Sequence, residues 1–408
     1  GNDYVKCFLH KQTEVRLQEM GAVYVEGNVD LDTGAVIFGN KLLDALYGLI
    51  TTDHRIDEEK FQRFCNSEAR VSFYGDFLYP LASDSTLEDF YKEAAEGVLN
   101  DALHNCRTEI WNAIHKFSMK LICLSPAEFI HFGTTRELRQ LVTKDVQDYE
   151  FLDWKLQVNS AVRESGFAAH NAYVGRKSRV GEDSYVENSY VIGNASVGER
   201  TVLSHVRIYG RNIPSDVVLH GLELLDGRYV IRIYGVTDNP KGKYPNEVGF
   251  LDTTLEKFMN INGISPEDLW EDEETYLWFA RLYPVCSSQE EALDAADLIL
   301  RMAKGEASAE EVEKWRSSER MSLYSSFDAA DIAASHRWEK ELEDRILTRR
   351  FIWALEDGKY YQDALEIFGK RGITEDIFHI LEQDAQEADF SLRIRLYYAL
   401  SRYMKHTG

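Results

Sequence analysis

The chain has 408 residues, 44% of them hydrophobic and 12% aromatic, a composition that excludes a disordered chain and gives length enough for two or three folded cores. Acidic residues outnumber basic ones by 69 to 46, a formal net charge of −23, which argues against a general binder of nucleic acid or of anionic membranes, since each needs a basic face. No apolar run is long enough to span a bilayer, the opening GNDYVKCFLHK has no signal-peptide apolar core, and the five cysteines (Cys7, Cys65, Cys106, Cys123, Cys286) show no CxxC spacing, so the expectation is a cytoplasmic protein with reduced thiols and no structural metal.

Residues 1–150 read as mixed α/β. YVKCFLH at 4–10 is strand-like, and GAVYVEGNVDLDTGAVIFG gives two β-rich runs ending at Gly39. NKLLDALYGLITT follows with Leu42, Leu43, Leu46, Leu49 and Ile50 at helical spacing, opened by Asn40 as the expected N-cap. VSFYGDFLYPL reads as a strand broken at Pro80. STLEDFYKEAAEGVLNDALH starts a helix, with Ser85 and Glu88 spaced as a capping box. KFSMKLICLS reads as a buried strand, and SPAEFIHFGTTRELRQLVT as two helices turning at Gly133. A helix N-terminus at Thr134 and Thr135, beside His131, can hold a phosphate or be an ordinary cap.

Residues 151–250 carry the most distinctive pattern. Val174, Val180, Val186, Ile192, Val197, Val202, Ile208 and Ile213 recur every five or six positions, with Gly, Ser, Asn and charged residues between them. That is neither the helical period nor strand alternation. It predicts a hexapeptide-type β-solenoid, each short run forming one side of a coil. The rival reading is an antiparallel meander, but no hairpin signal such as Asn-Gly lies between the runs. Beyond Pro214, VVLHGLELL and GRYVIRIYGV lengthen into ordinary closing strands. His220 with Gly221, and Asp238 with Lys241, lie there and either face a ligand or close the coil. DNPKGKYPNE is a Pro/Gly-rich boundary. Residues 251–408 are charge-dense and helical in period, as in SSQEEALDAADLILRMAKG and RWEKELEDRILTRRFIWALEDG; acidic runs such as EDEE are solvated helix faces.

No complete catalytic motif is present: there is no GxxxxGK[ST] loop, GxSxG elbow or GxGxxG. At VKCFLHKQ (5–12) and DTGAVIF (32–38), however, the chain resembles the sugar-1-phosphate nucleotidyltransferases. In that superfamily one strand carries a Lys that meets the sugar phosphate, and a second lines the sugar pocket. Lys11 falls at the first position and Asp32, Thr33 and Gly34 at the second, while His10 and Gln12 replace the usual Glu and Pro. An ammonium is a compact charge for a phosphate monoester, and a glycine admits close backbone approach. More narrowly, FLHKQTEVRLQEMGAV, YGDFLYPL, HFGTTREL and HGLELLDGRYVIRIYGVTDNPK together resemble the L-fucokinase/GDP-fucose pyrophosphorylase family.

That resemblance implies a partial nucleotidyltransferase α/β domain over 1–150, a left-handed β-helix over 151–250 and an α-helical connector over 251–408. It implies synthesis of GDP-L-fucose from L-fucose 1-phosphate and GTP with Mg²⁺, and a linked kinase. Lys11 and Asp76 would be catalytic, Asp76 holding the metal or else capping a turn, and Asp32, Thr33, Gly34 and Thr134 would bind substrate. The nucleotide loop would lie before Gly1, so the chain by itself is expected to be inactive. Homo-oligomerisation through the β-helix, transfer to another sugar 1-phosphate, and a non-catalytic scaffold role are the remaining expectations.

Overall fold

The computed structural model describes residues 4–407 apart from 10, 11, 26, 31, 96, 125–129, 131, 272 and 273. The chain falls into two compact units, Gly1–Ile130 and His131–Gly408.

The first unit is mainly helical: α1 (Glu14–Glu19), α2 (Asn40–Leu49), α3 (Glu58–Phe64), α4 (Leu87–Lys92) and α5 (Asp101–Ile114). Among its described residues the one ladder is a short hairpin, β1 (Thr51–Thr52) with β2 (Arg55–Ile56). The sheet expected here is absent from those residues. Tyr4 and Lys120 make one antiparallel bridge and Val23 and Val29 another; isolated pairings do not propagate in water. The expected strand VSFYGDFLYPL instead winds as a π-helical turn, Phe73–Leu78, and a 3-10 turn, Tyr79–Leu81. Its aromatics favour a strand by propensity, but pairing of Asp76 with Arg107 of α5 (2.7 Å) wins. The helix expected from Ser85 is two helices. Thr86 caps α4, accepting from Asp89 N–H (3.1 Å), and Asn100 caps α5, accepting from Leu103 N–H (2.9 Å). Likewise Gly39 caps α2, and Asn40 is its first residue. Phe64, Leu78, Leu81, Cys106, Ile110 and Ile114 form the core, with Val36, Phe38 and Leu46 against it.

The second unit opens with α6 (Thr135–Thr143) and a 3-10 stretch, Asp145–Leu152, which belong with the solenoid. Arg139 of α6 donates to Asp183 O at 2.9 Å. The solenoid comprises β3 (Gln157–Val158), β4 (Ala168–Val174), β5 (Arg179–Val180), β6 (Tyr185–Ile192), β7 (Ser196–Val197), β8 (Val202–Ser204), β9 (Arg207–Tyr209), β10 (Asn212–Ile213) and β11 (Val217–Glu223). β4, β6, β8 and β11 pair in parallel along one path and β5, β7 and β10 along another. Ala168 lies opposite Tyr185, Tyr185 opposite Val202, and Val202 opposite Val218, so about three coils of 17, 17 and 16 residues stack.

Val174, Val180, Val186, Val197, Ile208 and Ile213 point into the coil as expected. The phase slips twice. Val191, not Ile192, is fully buried in the core, and Leu203 takes the place expected of Val202, which packs outside with Val218 and Val236. The corners carry left-handed residues in register: Asn159 (φ +45°), Asn171 (+47°), Asn188 (+45°) and His205 (+54°) stack at one corner, Asp183 (+57°), Arg200 (+55°) and Asp216 (+62°) at another. Asn and Asp tolerate that conformation because their short polar side chains bond locally. Buried hydroxyls satisfy the corner backbone: Ser189 Oγ accepts from Val206 N–H (3.1 Å) and Ser184 Oγ from Thr201 N–H (3.0 Å).

β12 (Tyr229–Gly235) pairs antiparallel with β11 and closes the stack. After the short pair β13 (Gly249–Phe250) and β14 (Thr253–Thr254) come α7 (Leu255–Asn262), α8 (Pro266–Leu269), β15 (Tyr283–Pro284), α9 (Gln289–Lys304), α10 (Ala309–Ser317), β16 (Arg320–Met321) and α11 (Leu323–Asp328). Residues 250–323 share the solenoid's core, Phe250, Phe258, Ile299 and Trp315 being continuous with Leu219 and Ile233. α12 (Ile332–Glu356) lies against β4 and β6, with Trp338 Nε1 donating to Asn188 O (2.6 Å). Its C-terminal half forms a second core with α13 (Tyr361–Leu365), α14 (Glu375–Glu387) and α15 (Phe390–Thr407). Among the described residues, no helix is long and apolar enough to cross a membrane.

Candidate functional site

The first unit brings together two segments that the sequence singles out separately. Asp32 Oδ1 accepts the Gly34 N–H at 2.8 Å, closing an Asx turn over Asp32, Thr33 and Gly34. Gly34 has φ +76°, which favours glycine. A Cβ there would also sit 2.6 Å from the Tyr74 hydroxyl, so the turn lies directly against the FYGD segment. Phe38 and Phe73 meet at 6.0 Å between ring centroids, and Phe73 meets Tyr74 edge-on at 5.4 Å. Asp32 and Thr33 are exposed to solvent.

Asp76 lies beneath this surface, fully buried. It stands on the π-helical turn and not on the late strand expected of it. Its Oδ1 accepts from Arg107 Nε at 2.7 Å and its Oδ2 from the Ser72 N–H. Arg107, 1% exposed, also donates to the carbonyls of Phe90 (2.9 Å) and Glu93 (3.0 Å), and its guanidinium stands 5.2 Å from the Phe90 ring centroid. The charge on Asp76 is thus matched inside the fold. Among the described residues no three His, Cys, Asp or Glu side chains gather as a metal site. A lone, buried carboxylate bound to a guanidinium does not fit Mg²⁺, which takes accessible oxygen ligands and several waters. Beside Phe73 lies an apolar groove lined by Leu43, Leu46, Tyr47, Phe61 and Phe77, with Asp44 its one charged group among the described residues; it suits no phosphate.

Arg107 and Tyr74 are the residues that sequence reasoning missed. Arg107 was detectable: it falls on the same α5 face as Leu103, Cys106, Ile110 and Ile114, and a guanidinium on an apolar stripe requires a buried counter-charge. Tyr74 carried no such signal.

Lys11 and His131 lie outside the described residues. Thr134 caps α6: its Oγ1 accepts from Glu137 N–H (3.2 Å), and its own N–H donates to Glu137 Oε2 (3.0 Å). Of the two readings of this helix start, the structure shows a cap: the Glu137 carboxylate takes the Thr134 N–H in a capping box next to Gly133 and Thr135. His220 on β11 pairs through Nδ1 with the Arg232 guanidinium. Burial first, then Arg232, pushes its pKa well below the usual imidazole value, leaving it neutral. A Cβ on Gly221 would meet His205 O at 2.4 Å, so that glycine serves the close approach of two coils. Asp238 accepts from the N–H groups of Gly235 (2.6 Å) and Leu251 (2.9 Å), and burial lifts its carboxyl to about 6. Lys241 is exposed. These four residues belong to the closing end of the solenoid.

The description "Fucose pyrophosphorylase domain" matches residues 1–288. The chain belongs to the fucose pyrophosphorylase family. Among relatives of this family member, the human fucose-1-phosphate guanylyltransferase is 24% identical over 340 residues, covering 75% of this chain and 55% of that protein. The Arabidopsis thaliana bifunctional fucokinase/GDP-fucose pyrophosphorylase is 23% identical over 337 residues, covering 78% of this chain and 30% of that protein. The Bacteroides fragilis L-fucokinase/L-fucose-1-P guanylyltransferase is 25% identical over 287 residues, covering 67% and 29%. The chain spans about half the length of the human and mouse relatives. No solved structure gives a significant match. The family resemblance carried by LDTGAVIFG, YGDFLYPL and HFGTTREL is therefore correct.

Proposed function

We propose that the full-length protein is a fucose-1-phosphate guanylyltransferase and that this chain contributes its sugar-phosphate side. A phosphate oxygen of L-fucose 1-phosphate attacks the α-phosphorus of GTP. The bond from that phosphorus to the bridging oxygen breaks, and pyrophosphate leaves with the electron pair. The protein's work in such a transfer is positioning and charge neutralisation. Lys11 orients the attacking phosphate, and Asp32, Thr33 and Gly34 meet the sugar. Asp76 acts as a positioning residue: its pairing with Arg107 supports fixing the FYGD turn under Gly34 in preference to ligating a metal. Thr134 meets substrate through its O–H, since its oxygen already accepts from Glu137 N–H and its own N–H donates to Glu137 Oε2. Mg²⁺ enters only with GTP.

The observation that carries the reading is the family match across residues 1–288, which contains every residue assigned here. A linked fucokinase is supported by the names of the Arabidopsis and Bacteroides relatives; the human and mouse relatives are named for the transferase alone. The same proposal includes a left-handed solenoid, a nucleotidyltransferase α/β domain completed beyond the first unit, cytoplasmic residence, and inactivity of the 408-residue chain by itself. Coils close to 18 residues support the hexapeptide class. Self-association through the solenoid must use a face other than that of β4 and β6, where α12 lies.

The test is pyrophosphate release by the full-length protein with GTP and, separately, the 1-phosphates of fucose, glucose and mannose. The expected result is the highest kcat/KM with fucose 1-phosphate. Preference for glucose or mannose 1-phosphate would replace the substrate, and release with none of them would remove the function.

A further inference from the structure

We propose that Tyr74 is a sugar-contacting residue that sets specificity. The inference rests on the reading that the Asp32–Gly34 turn meets the sugar, and it adds a residue that neither the motif nor the family match assigns. Tyr74 brings the hydroxyl end of its phenol against that turn, the oxygen standing 2.6 Å from where a Cβ of residue 34 would be. Both ends of the contact are fixed. Phe73 props the Tyr74 ring edge-on at an interplanar angle of 81° and itself packs on Phe38, four residues beyond Gly34. Below, the buried Asp76–Arg107 pair anchors the segment.

The polar groups on this turn have capacity left. Asp32 spends Oδ1 on the Gly34 N–H. Among the described residues, its Oδ2, the Thr33 hydroxyl and the Tyr74 hydroxyl make no hydrogen bond. A carboxylate acceptor and an alcohol on one exposed turn, with a phenol against it, match the hydroxyls of a sugar ring, each of which donates and accepts. The phenol ring adds an apolar face for the C–H side of that ring. A phosphate does not suit the same place, because Asp32 would repel it. The turn therefore takes the neutral ring, and the phosphate points away from it.

The experiment compares full-length wild type with Tyr74→Phe, measuring kcat, KM for fucose 1-phosphate and KM for GTP, with thermal melts alongside. Loss of one neutral hydrogen bond predicts a rise of about 3- to 10-fold in KM for the sugar phosphate. KM for GTP and the melting temperature should be unchanged, and selectivity over mannose 1-phosphate should narrow. Wild-type KM for the sugar phosphate in Tyr74→Phe, or equal changes in both KM values, overturns the role of Tyr74 and leaves the function standing. Wild type that makes no product from fucose 1-phosphate and GTP overturns the function and this inference with it.

Discussion

At Asp238 two opposing effects meet on one carboxyl. Two backbone N–H groups stabilise the anion, yet burial dominates and lifts the pKa from 3.8 to about 6. The folded state therefore holds the proton more tightly than the unfolded chain. The stability this contributes is complete below about pH 4, falls as pH rises to about 6, and is absent above. Asp238→Asn keeps an accepting oxygen without the charge. It should match wild type near pH 4 and exceed it at pH 7.5 by on the order of 1–3 kcal/mol, readable as melting temperatures at the two pH values. A wild-type advantage at pH 7.5 would contradict this account. Asp76 presents the reverse case, a buried anion with its cation at 2.7 Å. Asp76→Ala strands Arg107 and should cost about 3–5 kcal/mol, measured by urea unfolding. Asp76→Leu combined with Arg107→Met should recover a good part of that loss. The sequence exposed half of this pair. Asp76 stands out beside an aromatic run, but its partner lies 31 positions on, and only the apolar stripe of α5 hints at it.

At the scale of elements, the solenoid was the most legible part, because an inward aliphatic every five or six residues is a local pattern needing no knowledge of neighbours. Its phase slips at Ile192 and Val202 were not legible. In VI and VL both residues are aliphatic, and only the three-dimensional coil decides which one turns inward. Two substitutions test the packing. Gly198→Ala places a Cβ 2.4 Å from Ser215 N, a backbone atom of the next coil that cannot move alone. It should lower stability by about 1–3 kcal/mol or more. Asn188→Ala removes the amide bonded to Asn171 and puts an unfavourable residue at φ +45°. About 1–2 kcal/mol should be lost, less for Asn188→Gly, and thermal melts of the two variants give the comparison. The first unit was far less legible. Tyr4–Leu9, Val71–Leu81 and Lys116–Leu124 have strand composition, but strands depend on partners remote in sequence, and among the described residues those partners do not form ladders. Helices α2, α4 and α5, whose period is local, were found to within a residue at their starts or as one segment now seen as two.

At the scale of the whole molecule, the two units differ in how their apolar groups are used. The second buries a continuous core from Phe167 to Leu323 and a further one among its C-terminal helices. The first leaves Val25, Ile37, Leu121, Ile122 and Leu124 exposed around a smaller core. Local opening follows buried contact, so hydrogen exchange should be slowest across 168–235 and faster across 12–25. Equal protection in both stretches would contradict the division.

The central claim is that this chain supplies the sugar-phosphate side of a guanylyl transfer. It is tested most directly by following pyrophosphate release from GTP and fucose 1-phosphate with full-length wild type and Lys11→Ala side by side. The account predicts rapid release by wild type and a loss of about 10²-fold or more without the ammonium. Wild-type release that Lys11→Ala leaves intact, or no release by wild type, would contradict it.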